Sequence, residues 1–158
     1  MFTNIIWATD GSEYSDRALD YAIQMAQRER TGLHVVHVDE KLVGVRMAGM
    51  DARVDEGEIV SNIKYQAAAI EAQNGINTTV HISAANTGAV AERIAEVARD
   101  TGADLIIVGT RGRSALAGAL LGSVTQRLLH LAACPVLAVP PLRPTLPTVE
   151  PDKAATAD

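Results

Sequence analysis

Residues 104–126 read DLIIVGTRGRSALAGALLGSVTQ. Residues 104–108, DLIIV, form a short apolar run that predicts a buried strand. Gly109 follows it, Gly112 lies three residues on, and Gly122 stands directly before Ser123, where a helix over 123–133 is expected to begin. Glycine permits positive φ and lets the backbone approach a ligand closely. A helix N-terminus leaves N–H groups free and carries a partial positive charge. Together these features form an anion site suited to phosphate. Ser123 adds a hydroxyl donor, and Val124 and Thr125 add backbone N–H groups in the first turn. A strand–glycine–helix junction also occurs in α/β proteins that bind nothing there, so spacing alone leaves both readings open. No Gly-Lys-Ser/Thr ends the stretch, so it is not a P-loop, and the G-x-G-x-x-G dinucleotide pattern is incomplete.

Working outward, the same alternation recurs. NIIWA at 4–8 reads as a buried strand, with Trp7 in the core, and ends in the polar turn Thr9-Asp10-Gly11-Ser12. Ser12 or Ser15 can cap a helix running to about Arg30, with Ala18, Leu19, Ala22, Ile23 and Ala26 as its apolar stripe and Gly32 past its end. LHVVHV at 33–38 predicts a second strand, and 39–55 a loop containing Met47 and Met50. A helix over 56–74 carries Ile59, Ile63, Ala67 and Ile70 on one face and stops at Gly75. Residues 76–82 alternate as a strand. Thr87 is expected to cap a third helix, with Val90, Ile94 and Val97 inward and Gly102 at its end. PVLAV at 135–139 predicts a fifth strand. Strands alternating with helices argue for a parallel sheet covered on both faces, with right-handed crossovers. Such sheets bind ligands beyond the carboxyl ends of the strands, at the switch point of the strand order.

Composition sets the limits. The chain has 158 residues, enough for one domain. Its net charge of −5 argues against a nucleic-acid partner, which would require a basic surface. Cys134 is the single cysteine, so no internal disulfide can form, and a cytoplasmic location is expected. No signal peptide and no spanning helix are expected. His34, His37, His81 and His130 are scattered, without zinc-site spacing. His37 reads as a core histidine and Cys134 as a small hydrophobe. Five of the six prolines fall within 140–158. That stretch cannot bury enough surface to offset its ordering entropy, so 1–140 is read as the domain and 141–158 as a Pro-rich flexible tail.

Gly109-x2-Gly112-x9-Gly122-Ser123, with ATDGS around Asp10, HVDE at 37–40 and CPVLAVP at 134–140, resembles the universal stress protein family. The glycine spacing matches the ATP-binding subgroup's G-x2-G-x9-G-S/T motif. The resemblance implies an adenine-nucleotide alpha hydrolase-like, doubly wound, five-stranded parallel sheet of order 3-2-1-4-5. Strands 1 and 4 then lie side by side, and Asp10 faces the glycine loop. It also implies roles: Ala8 and Thr9 beside the adenosine, Asp10 at the ribose or a phosphate-bound metal, and Val38 holding adenine through its backbone. Gly109, Arg111, Gly112, Gly122, Ser123 and Val124 would line the phosphates of ATP, which Mg2+ would accompany. Read without the resemblance, Asp10 is a turn or cap residue and Val38 is core. Arg113 is either a phosphate cation or a solvated arginine. The final strand, Val136–Val139, would pair with its copy in a homodimer.

Three functions compete. A nucleotide-dependent regulatory module for the stress response leads. A slow ATPase or autophosphorylating enzyme comes second, because the chain shows no dedicated base, no SGGxDS loop and no HxGH motif; catalytic residues and protein metal ligands are therefore not assigned. A sensor of AMP or cyclic AMP is the third.

Overall fold

Residues 1–41, 56–113 and 121–141 are described by the computed structural model. Among them strands and helices alternate: β1 (Ile5–Ala8), α1 (Glu13–Glu29), β2 (Leu33–Lys41), α2 (Glu56–Asn74), β3 (Thr78–Asn86), α3 (Val90–Thr101), β4 (Leu105–Gly109), α4 (Ser123–Leu131) and β5 (Val136–Val139). The strands form one parallel sheet in the order β3-β2-β1-β4-β5, as expected.

Successive strand side chains point to opposite faces, and the core divides accordingly. Ile5, Trp7, Leu33, Val35, Leu105 and Ile107 face α1 and α2, which contribute Ala18, Ala22 and Ala26, and Ile59, Ile63, Ala67 and Ile70. Ile6, Ala8, Val36, Val38, Ile106 and Val108 face α3 and α4, which contribute Ala91, Ile94, Ala95, Ala98 and Leu128. This two-sided burial is why β1 and β4 read as continuous apolar runs rather than alternating ones. Each fully buried Ile or Leu contributes about 1.5–3 kcal/mol. Trp7 is fully buried, and its Nε1–H donates to the Ser15 carbonyl at 3.3 Å. Cys134 packs against the second cluster. Burial, then the nearby Asp104 charge, raise its thiol pKa, which makes it a poor nucleophile.

The structure corrects several local expectations. Helix α1 ends at Arg30, which takes the left-handed conformation (φ 56°) and donates its N–H back to Ala26 and Gln27; Gly32 lies beyond this stop. Thr87 does not cap α3. Ala89 is the N-cap, and the Thr87 hydroxyl donates to the Lys41 carbonyl at 3.2 Å. Strand β2 runs on to Lys41, and β3 spans 78–86 rather than 76–82, because Asp39–Lys41 find ladder partners in Ala84–Asn86. Those positions are solvent-facing, so hydrophobic pattern does not mark them. Helix α4 ends at Leu131 because Ala132 is extended. The rest of the expected loop, 42–55 with Met47 and Met50, lies outside the described residues, as do 114–120 and the tail from 142.

The chain leaves β1 toward β2 and leaves β4 toward β5, on opposite sides. Their following loops diverge and leave a crevice beyond the carboxyl ends of the two strands.

Candidate functional site

A cavity of about 200 Å³ occupies that crevice. Its floor is apolar: Ala8, Val38 and Val108 at the strand ends, with Val90 and Ile94 of α3 as a wall. Its other end is polar, built from Thr9, Asp10, Gly109, Arg111, Gly112, Arg113 and the start of α4 from Gly122 to Thr125. All ten residues singled out from the sequence line it together: Ala8, Thr9, Asp10, Val38, Gly109, Arg111, Gly112, Gly122, Ser123 and Val124. Ser15, Glu40, Val90, Ile94 and Val108 also line it. Val108 adjoins Gly109 and Glu40 ends the HVDE stretch, whereas Val90 and Ile94 lie on α3 and only the fold brings them in.

Helix α4 begins without a side-chain cap. Its N-cap is Gly122, no cap hydrogen bond is made, and no acidic residue stands in the first turn. The first-turn N–H groups of Ser123, Val124 and Thr125 therefore keep their partial positive charge. Thr125 anchors this end by donating its hydroxyl to the Gly109 carbonyl at 2.7 Å. The Gly122 N–H donates to Thr110 O at 2.6 Å. Two glycines are demanded by space. A Cβ at Gly109 would sit 2.9 Å from the Tyr14 carbonyl oxygen, and one at Gly112 would sit 2.4 Å from Asp10 Oδ2. Among the described residues the Arg111 side chain has no polar partner, leaving its guanidinium unspent at the cavity.

Asp10 faces the glycine loop, and its carboxylate is engaged. Oδ1 accepts from the Ser12 N–H (3.0 Å) and hydroxyl (2.6 Å), and Oδ2 accepts from the Arg113 N–H at 2.7 Å. The turn reading of Asp10 and its place at the cavity are thus both realised. Thr9 is held as firmly. The Ser15 hydroxyl donates to Ser12 O, so the Thr9 hydroxyl donates to Ser15 Oγ (2.8 Å) while accepting from Gly11 N–H (3.1 Å). Val38 is placed by the end of a ladder. Val36 gives its carbonyl to the Thr9 N–H at 3.0 Å. Val38, two residues on, turns its carbonyl the same way, past the last paired residue of β1, Ala8.

His37 is fully buried, as a core histidine should be, and both ring nitrogens are used: Nδ1 donates to the Thr9 carbonyl at 2.9 Å, and Nε2 meets Glu56 Oε1. Glu56 also faces Arg113, with Oε2 3.6 Å from the guanidinium. The sequence offered no signal for Glu56, since it opens α2 directly after residues 42–55.

Residues 1–140 match the family model described as the universal stress protein family. The chain belongs to that family. A curated member, universal stress protein YxiE of Bacillus subtilis, is 30% identical over 155 residues, covering 88% of this chain and 99% of that one. The universal stress protein UspA from Lactobacillus plantarum shares the fold, with a TM-score of 0.72, 21% identity, and coverage of 87% and 97%. A family member solved in complex with cAMP superposes with a TM-score of 0.63 at 25% identity, covering 87% of this chain and 97% of that one. Among the described residues no helix is long and apolar enough to cross a membrane.

Proposed function

We propose that this member of the family binds ATP in the switch-point cavity and acts as a nucleotide-dependent regulatory module of the stress response. One observation carries the reading. The cavity grades from the apolar floor of Ala8, Val38 and Val108 to the uncapped, acid-free start of α4 beside Gly109, Gly112 and Arg111. An apolar slot suits a purine, and converging N–H donors with a free guanidinium suit phosphates. In this reading Val38 reaches adenine through its backbone, Ala8 and Thr9 flank the adenosine, and Asp10 receives the ribose. Gly109, Arg111, Gly112, Gly122, Ser123 and Val124 cradle the phosphates. The G-x2-G-x9-G-S spacing supports assignment to the ATP-binding subgroup. Mg2+ would be held mainly by phosphate oxygens and water. Asp10 is the carboxylate at the polar end, and its Oδ2, which accepts one bond from the Arg113 N–H, keeps a lone pair for such a metal. The domain is 1–140, and 141–158 is a tail.

Strand β5 is an edge of the sheet, with Val136, Leu137 and Ala138 half-buried. We assign it to pairing with a second copy in a cytoplasmic homodimer.

Nucleotide released on denaturing the purified protein and identified by mass tests the ligand. Calorimetry against ATP, ADP, AMP and cyclic AMP then ranks affinities, with ATP expected tightest. Unchanged ATP affinity in Gly122→Val would overturn the phosphate cradle. Cyclic AMP is the second reading, favoured by the relative solved with that ligand; tighter binding of cyclic AMP than of ATP would establish it. Single-turnover hydrolysis near about 1 s⁻¹, lost in Asp10→Ala, would make the protein an enzyme instead.

A further inference from the structure

The two arginines of the glycine loop are not equivalent. Arg111 has no polar side-chain partner among the described residues, whereas Arg113 is held. Its N–H is fixed on Asp10 Oδ2 at 2.7 Å, and its guanidinium lies 3.6 Å from Glu56 Oε2. Arg113 lines the cavity and Glu56 does not. Glu56 is itself anchored, because its other oxygen meets Nε2 of the fully buried His37, whose Nδ1 donates to the Thr9 carbonyl. A carbonyl only accepts, so Nδ1 carries a proton, and Nε2 is left facing Glu56 Oε1. Glu56 therefore cannot follow Arg113 if the guanidinium swings toward the cavity.

We infer that Glu56 holds Arg113 in reserve and thereby sets the affinity of the site for the phosphate part of its ligand, an assignment that rests on the proposed nucleotide reading. The hold is weak by construction. It is one contact with both side chains about one-third exposed (33% and 30%), in the class of pairs worth at most about fivefold in an equilibrium constant. Charge-assisted hydrogen bonds to phosphate are worth about ten- to a hundredfold, so a triphosphate takes Arg113 and leaves Glu56 with His37. Adenosine, which has no phosphate, leaves the Arg113–Glu56 contact in place. Glu56 is thus a specificity-tuning residue that opposes phosphate-bearing ligands and is silent toward the nucleoside.

Calorimetric affinities for ATP and for adenosine in the wild type, Glu56→Gln, Arg113→Gln and the double variant test this. Gln at 56 can still meet Nε2, its amide donating, and it presents no carboxylate to the Arg113 guanidinium. Glu56→Gln is expected to tighten ATP about 2- to 5-fold and leave adenosine unchanged. Arg113→Gln should weaken ATP about tenfold and erase the gain from Glu56→Gln. Equal ATP affinity in the wild type and Glu56→Gln overturns the inference. So does a parallel change for adenosine, which marks a structural role. A wild type that binds neither ligand overturns the nucleotide reading itself, a distinct failure. The wild type also supplies a measurement independent of any variant's folding: adenosine lies beside Thr9 and shifts the His37 ring through Nδ1, whereas the Nε2 resonance facing Glu56 should shift further with ATP than with adenosine. Identical shifts for both ligands would sink the proposal.

Discussion

Two strand–turn–helix junctions stand side by side at the carboxyl end of the sheet, and they are finished in opposite ways. After β1, the turn closes on itself. Asp10 takes two donors from Ser12, the Thr9 hydroxyl donates to Ser15 Oγ, and Glu13 and Asp16 fill the first turn of α1 with negative charge. After β4, the junction is left open: Gly122 offers no side chain and the first turn of α4 holds no acid. Both helix starts carry the same partial positive charge. Neither N-cap makes a side-chain cap bond, but the first start is offset by Glu13 and Asp16, whereas the second has no acid to offset it. An anion site is recognised less by the helix terminus than by what the protein withholds from it.

The comparison can be broken at its tightest point. Gly109→Val drives a side chain into the Tyr14 carbonyl, 2.9 Å from the Cβ position. It should cost about 3 kcal/mol of stability in denaturant titration, as overpacking against backbone does. The comparison is sharpened by making the second junction resemble the first. Ser123→Asp should weaken ATP by at least about tenfold, since a fixed carboxylate then faces the phosphates, while raising thermal stability by about 0.3–1 kcal/mol through the helix dipole. Binding and stability moving in the same direction would contradict the open-junction account. Thr125→Val removes the donor to Gly109 O and should cost about 1 kcal/mol, read by chemical denaturation. The smallest effect belongs to the closed junction: Glu13→Gln should lower stability by about 0.3 kcal/mol and leave ATP affinity unchanged by calorimetry.

Much of this was legible in the chain. The apolar runs at 5–8 and 105–108 announce central strands because both faces are buried, and Ile59, Ile63, Ala67 and Ile70 mark the inner face of α2 because burial follows helical period. Gly109 and Gly112 were legible as the bounds of a tight loop, since only glycine fits where the Tyr14 carbonyl or Asp10 presses close. Solvent-facing strand ends were not legible, as Asp39–Lys41 and Ala84–Asn86 pair through backbone alone. The end of α1 near Arg30 was legible, but its left-handed cap at Arg30 rather than at Gly32 was not, because a left-handed arginine leaves no compositional mark.

The sequence by itself determined the alternation of strands and helices, the membership of each core face, and the glycine-bounded loop, because these depend on local periodicity and on the steric needs of single residues. Tertiary structure alone decided that His37, Glu56 and Arg113 form one connected set with Thr9 and Asp10. Those residues come from four separated segments and obey no shared spacing. Their meeting follows from the strand order, which sets β2 and β4 on either side of β1 and brings the start of α2 to the same crevice.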